Sequence, residues 1–396
     1  SDLTPLKKLT ALTQLDFGGN EVSDLTPLNE LTALTLLDFR DNDVSDLKPL
    51  LSLIRRGTPV RWERRGTDGQ IVVGGNIFFF PPPEIVQQGN ETILRYFEEI
   101  VRKGKRKLYE ARLLIVGQGG AGKTTLKRKL QDVNAEMPAP ADSTKGIEIN
   151  SMNMRASGGT EFTLHVWDFG GQNIQHYAHQ FFLSGSSLYV LVHNQREQNT
   201  NFQYWLNIIE MLGGASPIII VQNEVADHCE PIQNAPAIRE RFPNVVSPFY
   251  QVDLSKAATD ARFEKLREAI ALYASDPQRL PHFGKEYPVS FVNVRDKLDQ
   301  FAQQNQHIAW QQFAELCKQE GVTDEALMTD FSRTLTVLGV CLHLENDIEL
   351  RNFVFLHPKW IIDALFDLLY HQKIVDQHGE FSEQDTFTIW SKPEYQ

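Results

Sequence analysis

The sequence predicts a multidomain protein in three parts: the end of a repeat solenoid, an α/β domain with a mostly parallel sheet, and an α+β region in which helices precede a strand pair. Three observations lead to this fold class. A short phrase recurs every 22 residues near the start, a glycine-rich stretch follows an apolar run, and strand-like and helix-like patterns alternate around that stretch.

The bulk properties restrict the classes of partner. A length of 396 residues favours two or three domains, and a net charge of −12 argues against a nucleic-acid or anionic-membrane surface. The three cysteines are far apart and form no C-x-x-C pair, so neither a disulfide framework nor a zinc site is indicated. No apolar stretch reaches the ~18 residues that a transmembrane helix needs. We therefore expect a cytoplasmic protein whose partners are small molecules or proteins.

The repeated phrase Asp2-Leu3-Thr4-Pro5-Leu6 returns at residues 24–28 and, with lysine for threonine, at residues 46–50. Between these copies, the pattern L-x-x-L-x-F-x-x-N-x-V occurs at 12–22 and again at 34–44. This pattern resembles the short type of leucine-rich repeat. The resemblance implies one short strand per unit on a concave face, with Asn20 and Asn42 turned inward to satisfy loop backbone groups.

Residues 1–80 are expected to hold about two and a half repeats and a cap, with further repeats upstream, because roughly three units are needed for a continuous core. The cap is predicted from three segments, 61–63, 71–73 and 77–80. Two roles stay open for the repeats: a concave protein-binding surface, or an anchor for the array.

Residues 81–108 are predicted to be a linker that contains a helix. Apolar residues at helical spacing place this helix at Glu91 to Val101. The basic run from Arg102 to Lys107 follows it, and we interpret this run as a solvated segment at the helix end, where cations are favoured.

The glycine-rich stretch from Gly117 to Thr124 reads G-x-x-x-x-G-K-T. It follows the strand-like run 113–116 and precedes the helix-like run 126–130, which is the context of a phosphate-binding P-loop. Its backbone N–H groups would face phosphate, while Lys123 would reach the β- and γ-phosphates and Thr124 would reach Mg²⁺. The expected nucleotide contacts are Gly117, Gly119, Gly120, Ala121, Gly122, Lys123, Thr124 and Thr125.

The region around the P-loop predicts six strands, at 111–117, 146–153, 160–168, 187–193, 217–222 and 248–253. Ser157-Gly158-Gly159 would join the second and third strands as an antiparallel hairpin. Helices are predicted after the P-loop, after Gln172, near Asn201 and from Thr259 to Ala274. This order resembles a Ras-like small GTPase domain, which we assign to residues 109–276.

The third predicted strand ends in the motif D-x-x-G-Q, from Asp168 to Gln172. In the Ras-like pattern Asp168 faces Mg²⁺ through water, the Gly171 N–H approaches the γ-phosphate, and Gln172 orients the attacking water. Thr144 lies where Ras-like proteins keep a threonine that closes over Mg²⁺ and the γ-phosphate. The resemblance thus implies catalytic roles for Lys123, Thr144 and Gln172, and metal-binding roles for Thr124, Thr144 and Asp168.

Base recognition departs from the family pattern. The expected N-K-x-D appears as Asn223-Glu224-Val225-Ala226-Asp227, with glutamate in place of lysine and the aspartate one residue late. A one-residue bulge would still deliver Asp227 to the base. Leu254 lies in a loop that resembles the guanine-binding loop of the family, in which a backbone N–H contacts the base. We expect Asn223, Asp227 and Leu254 to hold the base, with guanine favoured and a P-loop NTPase without strict guanine preference left open.

Residues 277–396 predict helices at 291–304, 309–319 and 324–338, strands at 339–344 and 353–356, and a helix from Pro358. Helices followed by a hairpin suggest a winged-helix arrangement. The acidic chain lacks an evident basic recognition face, so we favour a protein-interaction module over a DNA-binding one.

These parts together resemble the Roco family: leucine-rich repeats, a Roc domain with the D-F-G-G-Q motif, and the first part of a COR domain carrying Leu338-Gly339 and residues 356–360. The resemblance implies a slow Mg²⁺-dependent GTPase switch that binds GTP and GDP and couples its nucleotide state to the flanking repeats and COR domain. We expect a piece of a longer, prokaryotic protein that dimerises when whole, with this piece monomeric. A non-hydrolysing, nucleotide-bound scaffold stays open as the alternative.

Overall fold

The computed structural model describes residues 2–62, 69–76, 80–81, 83–139, 147–169, 185–194, 202–224, 232, 235–369 and 371–392. Within these residues, no helix is both long enough and apolar enough to cross a membrane.

The N-terminal part is a small parallel sheet of short strands, β1 (Gln14–Asp16), β2 (Leu36–Asp38), β3 (Val60–Arg61) and β4 (Ile71–Val72), in the order β1-β2-β4-β3. Short 3-10 helices (Thr4–Lys8, Thr26–Leu28, Lys48–Leu50) and α1 (Leu51–Arg55) connect them. Gln14 pairs with Leu36 and Asp16 with Asp38, so the sheet register equals the 22-residue sequence interval.

Asparagine side chains connect successive units of this sheet. The Asn42 Oδ1 accepts the Val22 N–H at 2.9 Å, and its amide donates to the carbonyls of Phe17 and Phe39. Asn76 repeats this one unit later, accepting the Val44 N–H at 3.1 Å and donating to Phe39 at 2.9 Å. Asn20, expected to turn inward, is exposed and bonds its own loop.

Part of the segment predicted to be a cap continues this ladder. Leu37 pairs with Ile71 across an interval of 34 residues instead of 22. The third unit, with strand β4 and Asn76, was not recognised in the sequence because its spacing from the second unit differs from the 22-residue period.

Two helices, α2 (Pro83–Gln87) and α3 (Asn90–Lys103), lead through β5 (Lys105–Leu108) into the central six-stranded sheet. Its strands are β6 (Glu110–Val116), β7 (Ile147–Arg155), β8 (Glu161–Phe169), β9 (Leu188–Asn194), β10 (Ile218–Asn223) and β11 (Tyr250–Val252), in the order β11-β10-β9-β6-β8-β7. Only β7 is antiparallel, as the hairpin prediction required. Each strand lies within two residues of its predicted bounds.

The described helices of this domain are α4 (Lys123–Gln131), α5 (Phe202–Gly213), α6 (Ala235–Arg241) and α7 (Ala261–Ala274). Helix α6 was not predicted. It buries none of its residues, so it has no apolar stripe to mark it. The helix expected after Gln172 lies outside the described residues.

The C-terminal part contains β12 (Lys285–Pro288), α8 (Val289–Ala302), β13 (His307–Ala309), α9 (Trp310–Gln319), α10 (Glu325–Leu338), β14 (Phe353–Phe355), α11 (Pro358–Leu369), α12 (Gln372–Asp376) and α13 (Glu383–Ile389). Strand β14 pairs with β13. The strand predicted at 339–344 contributes a single bridge, Leu342 to Phe355. Ile308 and Val354 are both buried in the β13–β14 pair, which was not anticipated.

The basic run that was interpreted as a solvated linker is partly a strand. Residues Lys105–Leu108 form β5, which pairs antiparallel with β12. Lys105 forms an ion pair with Glu286, and Arg106 forms one with Asp296 at 2.8 Å. These acidic partners are 181 and 190 residues away in the sequence, so the run alone gave no sign of the pairing. Its basic side chains are exposed, as the solvated interpretation expected.

The buried side chains place the central sheet between two layers. One face packs on α4 and α7. The other packs on α5 and on Leu342, Phe355, Ile362 and Phe366 of the C-terminal part. The repeats, α3 and the C-terminal helices share a separate cluster.

A candidate phosphate-binding site at the edge of the central sheet

The loop after β6 turns sharply, and its glycines make the turn possible. Gly117, Gly120 and Gly122 have φ values of 137°, 75° and 103°, which side-chain-bearing residues rarely adopt. A Cβ on Gly117 would lie 2.2 Å from the carbonyl oxygen of Val192 in β9. At Gly117 the loop therefore approaches the neighbouring strand more closely than a residue with a side chain would allow.

Asn223, at the end of β10, connects three of the predicted binding residues. Its amide donates to the carbonyl of Ala121 at 3.1 Å, and its Oδ1 accepts the Leu254 N–H at 3.3 Å. A Cβ on Gly122 would lie 2.5 Å from the Asn223 Nδ2. Asn223 thus ties the P-loop to the turn that follows β11.

A second asparagine supports the loop from the neighbouring strand. Asn194 ends β9 and donates to the carbonyl of Gly120 at 2.7 Å. This residue was not predicted from the sequence. The signal was available, because an asparagine that ends an apolar parallel strand next to the P-loop strand lies at the same sheet edge.

Lys123 begins α4 and is buried beneath the loop. Its ammonium donates to the carbonyls of Gly117 at 2.8 Å and Gln118 at 2.7 Å. Thr125 is buried in the same helical turn, whereas Gly120 is exposed and Gly119 is half-buried. The loop N–H groups and the start of a nine-residue helix therefore share one small region with a cation, which suits phosphate.

Asp168 and Thr124 meet beside this loop. The Thr124 hydroxyl is hydrogen-bonded to the fully buried Asp168 carboxylate. Burial raises the pKa of Asp168, and the Thr124 hydrogen bond and the charges of Lys127 and Lys123 partly oppose that rise. A hydroxyl and a carboxylate are hard oxygen donors of the kind that Mg²⁺ prefers beside a nucleotide, so these residues fit the predicted metal.

Lys127 and Glu148 were not anticipated at this site. The Lys127 ammonium forms an ion pair with Glu148 of β7 and lies 3.7 Å from the Asp168 Oδ2. Lys127 follows Lys123 by four residues, which places both side chains on one side of α4. That spacing was the only signal in the sequence.

Glu224 stands where the family pattern has lysine, and its charge is neutralised. Both carboxylate oxygens accept from the Arg262 guanidinium of α7, at 2.7 and 2.8 Å. Arg262 also binds Asp260, and these hydrogen bonds raise the pKa of the guanidinium. The substitution therefore comes with a partner from a distant helix.

Four of the predicted site residues, Thr144, Gly171, Gln172 and Asp227, lie outside the described residues. Their roles stay predictions. The described members, from Gly117 to Thr125 together with Asp168, Asn223 and Leu254, lie around the carboxyl ends of β6, β8 and β10 and the turn after β11.

Two protein families match this chain. The family described as "Ras of Complex, Roc, domain of DAPkinase" matches residues 112–226, and the family described as "C-terminal of Roc, COR-A domain" matches residues 288–396. Together the matches cover more than half of the chain.

Several known proteins are similar to it. The probable serine/threonine-protein kinase pats1 of Dictyostelium discoideum is 27% identical over 80% of this chain and 10% of its own length. A Roc-COR-CHAT protease from an unknown prokaryotic organism is 28% identical over 70% of this chain and 27% of its own length. The chain thus spans about a quarter or less of these two relatives.

A solved structure is similar as well. It is Methanosarcina barkeri Roco2 RocCORdC bound to GDP, with 27% sequence identity and a TM-score of 0.62. The match covers 73% of this chain and 85% of that one.

Proposed function

This chain belongs to the Roco family, with a Roc domain followed by a COR-A domain, and from this premise we propose that it is a Mg²⁺-dependent GTP-binding and GTP-hydrolysing switch. One observation carries the proposal: the P-loop is held at the sheet edge by Asn194 and Asn223, with Lys123 inside it and the Asp168–Thr124 pair beside it.

The phosphates would bind in the loop, where backbone N–H groups and the start of α4 favour negative charge. Lys123 would exchange its two carbonyl contacts for phosphate oxygens, since it lies within the same turn. Bound Mg²⁺ would neutralise charge on the β- and γ-phosphates. Thr124 would contact the metal directly, and Asp168 would contact it through water.

Thr144, Gly171 and Gln172 complete the proposed switch. In the Ras-like template, γ-phosphate contacts hold such segments in place and hydrolysis releases them. Gln172 would hold the attacking water in position. We expect slow turnover in the absence of an added arginine, because in that template such an arginine raises the rate of hydrolysis by ~10³–10⁵.

We propose that the base is guanine. The solved relative named above is bound to GDP, and the hydrogen bond between Asn223 and the Leu254 N–H holds together two of the three expected base contacts. Asp227 would supply the third. A P-loop NTPase without strict guanine preference is the second candidate, because Glu224 and the late aspartate depart from the usual pattern.

The nucleotide state would be coupled to the COR-A domain through β8. Asp168 faces α4, whereas the preceding Trp167 belongs to the cluster shared with the C-terminal part. Gly339, at the end of α10, lies against Trp167 and Arg112. Asp168 and Trp167 are consecutive in β8, so a shift of Asp168 would pass directly to the residue that contacts COR-A.

We further propose that residues 1–80 are the end of a leucine-rich-repeat array that binds protein partners. The equal register and sequence interval of β1 and β2 supports this, as does the asparagine ladder. The remaining parts would be a linker with a helix at 81–108, the Roc domain at 109–276 and the first part of COR at 277–396. The COR portion would have a winged-helix-like fold. We expect the whole protein to dimerise. We also expect it to be located in the cytoplasm.

The test is phosphate release from GTP by the wild-type chain and by Gln172→Leu, with GDP binding measured for both. We expect slow release by the wild type, a decrease of at least about tenfold for Gln172→Leu, and equal GDP affinity. GDP binding without turnover in either protein would support the non-hydrolysing scaffold and reject the enzyme.

A further inference from the structure

Lys127 is a buried cation that the proposed chemistry does not use. Its side chain is 4% exposed, one turn along α4 from Lys123. Whereas Lys123 turns into the P-loop, Lys127 turns toward the β7–β8 hairpin and contacts carboxylates on both strands. A lysine is rarely buried to this extent unless it is paired.

The two carboxylates that Lys127 contacts face each other. Glu148 and Asp168 are direct cross-strand partners in the β7–β8 register, so their side chains share one face of the hairpin. Like charges in directly opposite positions destabilise a strand pair. The Glu148 side chain is 42% exposed, but Asp168 is fully buried and gains little from solvent. Lys127 supplies the counter-charge from a third element.

We propose that Lys127 is a positioning residue whose ammonium acts as an internal cation. It holds the Glu148 and Asp168 carboxylates together and thereby weakens Mg²⁺ binding at the nucleotide site. This inference rests on the proposed function, because Asp168 is the carboxylate expected to face the metal. A fixed positive charge 3.7 Å from the Asp168 Oδ2 competes for that carboxylate and repels a second cation.

Two consequences follow for the switch. When no metal is bound, the hairpin keeps one counter-charge between its two carboxylates, so release of Mg²⁺ leaves less repulsion than an uncompensated pair would have. Glu148 is the second residue of β7, which begins three residues after Thr144. Lys127 therefore connects the P-loop helix both to the strand of Asp168 and to the strand that follows the predicted switch threonine.

The test is the release rate of a fluorescent GDP from the full chain, measured over a range of free Mg²⁺ concentrations. For Lys127→Met, we expect the Mg²⁺ concentration that half-maximally slows release to fall about tenfold. Lys127→Arg, which keeps the charge, should stay close to the wild type. An unchanged or higher half-maximal concentration in Lys127→Met would overturn the proposal.

Lys129→Met is the matched control. Lys129 is also a buried lysine of α4, but its ammonium donates to the Val133 carbonyl at 3.1 Å. We expect its Mg²⁺ response to equal that of the wild type. An equal shift in both variants would mean that loss of any helix charge suffices, and this would also overturn the proposal.

Removing Lys127 alone leaves two facing carboxylates, so the variant could fail to fold. The pair Glu148→Gln and Glu148→Gln/Lys127→Met avoids this, because neither protein retains the like-charge pair. The double variant should again need about tenfold less Mg²⁺ than the single one. An equal requirement in the two proteins would contradict the proposal.

The outcome separates this inference from the proposed function. A wild-type chain that binds no GDP would reject the proposed function and, with it, the role of Lys127. A wild-type chain whose GDP release responds to Mg²⁺, but whose Lys127 variants respond identically, would reject only the role of Lys127.

Discussion

At the residue scale, the phosphate loop depends on glycines whose Cβ positions are already filled by neighbours. Gly117 faces a carbonyl oxygen of β9, and Gly122 faces the side-chain amide of Asn223. Gly122 also has a φ of 103°, so both its backbone conformation and its surroundings exclude a side chain.

We predict that Gly122→Ala lowers GDP affinity by at least about tenfold, because strain and displacement of Asn223 would deform the loop. Gly158→Ala is the control: Gly158 lies in the β7–β8 turn without a positive φ, and a Cβ there would meet no atom within 4 Å. Isothermal titration with GDP measures both variants. Equal affinities for the two would contradict this account of the loop.

Residues of the site differed in how far the sequence could predict them. The P-loop and Asp168 follow from a motif whose spacing is dictated by phosphate geometry. Asn194 belongs to no motif, but its position at the end of the strand next to the P-loop strand was a usable signal. Glu148 and Arg262 could not be assigned, because their partners are side chains brought close only by sheet and helix packing.

At the element scale, strand β8 joins the proposed nucleotide site to the COR-A domain because alternate residues point to opposite faces. Trp167 lies against Gly339, which caps α10 with a φ of 79°. A Cβ on Gly339 would lie 3.0 Å from the Arg112 Cδ and 3.3 Å from the Trp167 Nε1. The close approach at this helix end forms part of the Roc–COR-A contact.

We predict that Gly339→Ala destabilises the chain by more than about 1 kcal/mol, because it combines backbone strain with overpacking. Gly379→Ala is matched for strain, since Gly379 has a φ of 91°, but it has no atom within 4 Å of a Cβ. Thermal or denaturant unfolding of both gives the difference due to the contact alone. A smaller loss for Gly339→Ala would contradict the role of this contact in packing.

A buried ion pair joins the start of β6 to helix α8 of COR-A. The Glu110 carboxylate lies 2.6 Å from the Arg295 Nε and 3.1 Å from the His165 Nε2. Burial alone would raise the pKa of Glu110, but the His165 hydrogen bond and the Arg295 charge outweigh it and lower the pKa.

A lowered pKa fixes the direction of the pH dependence. The pair contributes its full stability above the pKa of an unfolded glutamate, about 4.3, and loses it as the pH falls through the lower folded value. We predict that Glu110→Gln costs roughly 3 kcal/mol near neutral pH, and that this difference shrinks in acid. Urea unfolding of both proteins across pH checks this, and a pH-independent difference would count against the pair.

The elements themselves were predictable where they carry a strong local pattern. Most strands of the central sheet are apolar runs with turn signals, and all six lie within two residues of their predicted bounds. Strands β5, β12 and β13 were missed because each is short and pairs with a segment far along the sequence.

At the scale of the whole molecule, the repeats are joined to COR-A more than to the Roc sheet. Helix α3 shares a buried cluster with both the repeats and the C-terminal helices. The Tyr96 hydroxyl donates to the Glu286 carbonyl at 2.8 Å, and Arg95 forms an ion pair with Asp324. Under the proposed coupling, a signal from the nucleotide would reach the repeats by way of COR-A. The sequence predicted three separate parts, but not this shared core.

The central claim is that the P-loop of this chain holds a guanine nucleotide, and competition between GDP and ADP in the presence of Mg²⁺ tests it most directly. We predict that GDP binds at least roughly a hundredfold more tightly than ADP, because a site that pairs with guanine leaves polar groups unmatched against adenine. We also predict that Lys123→Ala loses both signals. Equal affinity for GDP and ADP, or GDP binding that survives Lys123→Ala, would contradict the claim.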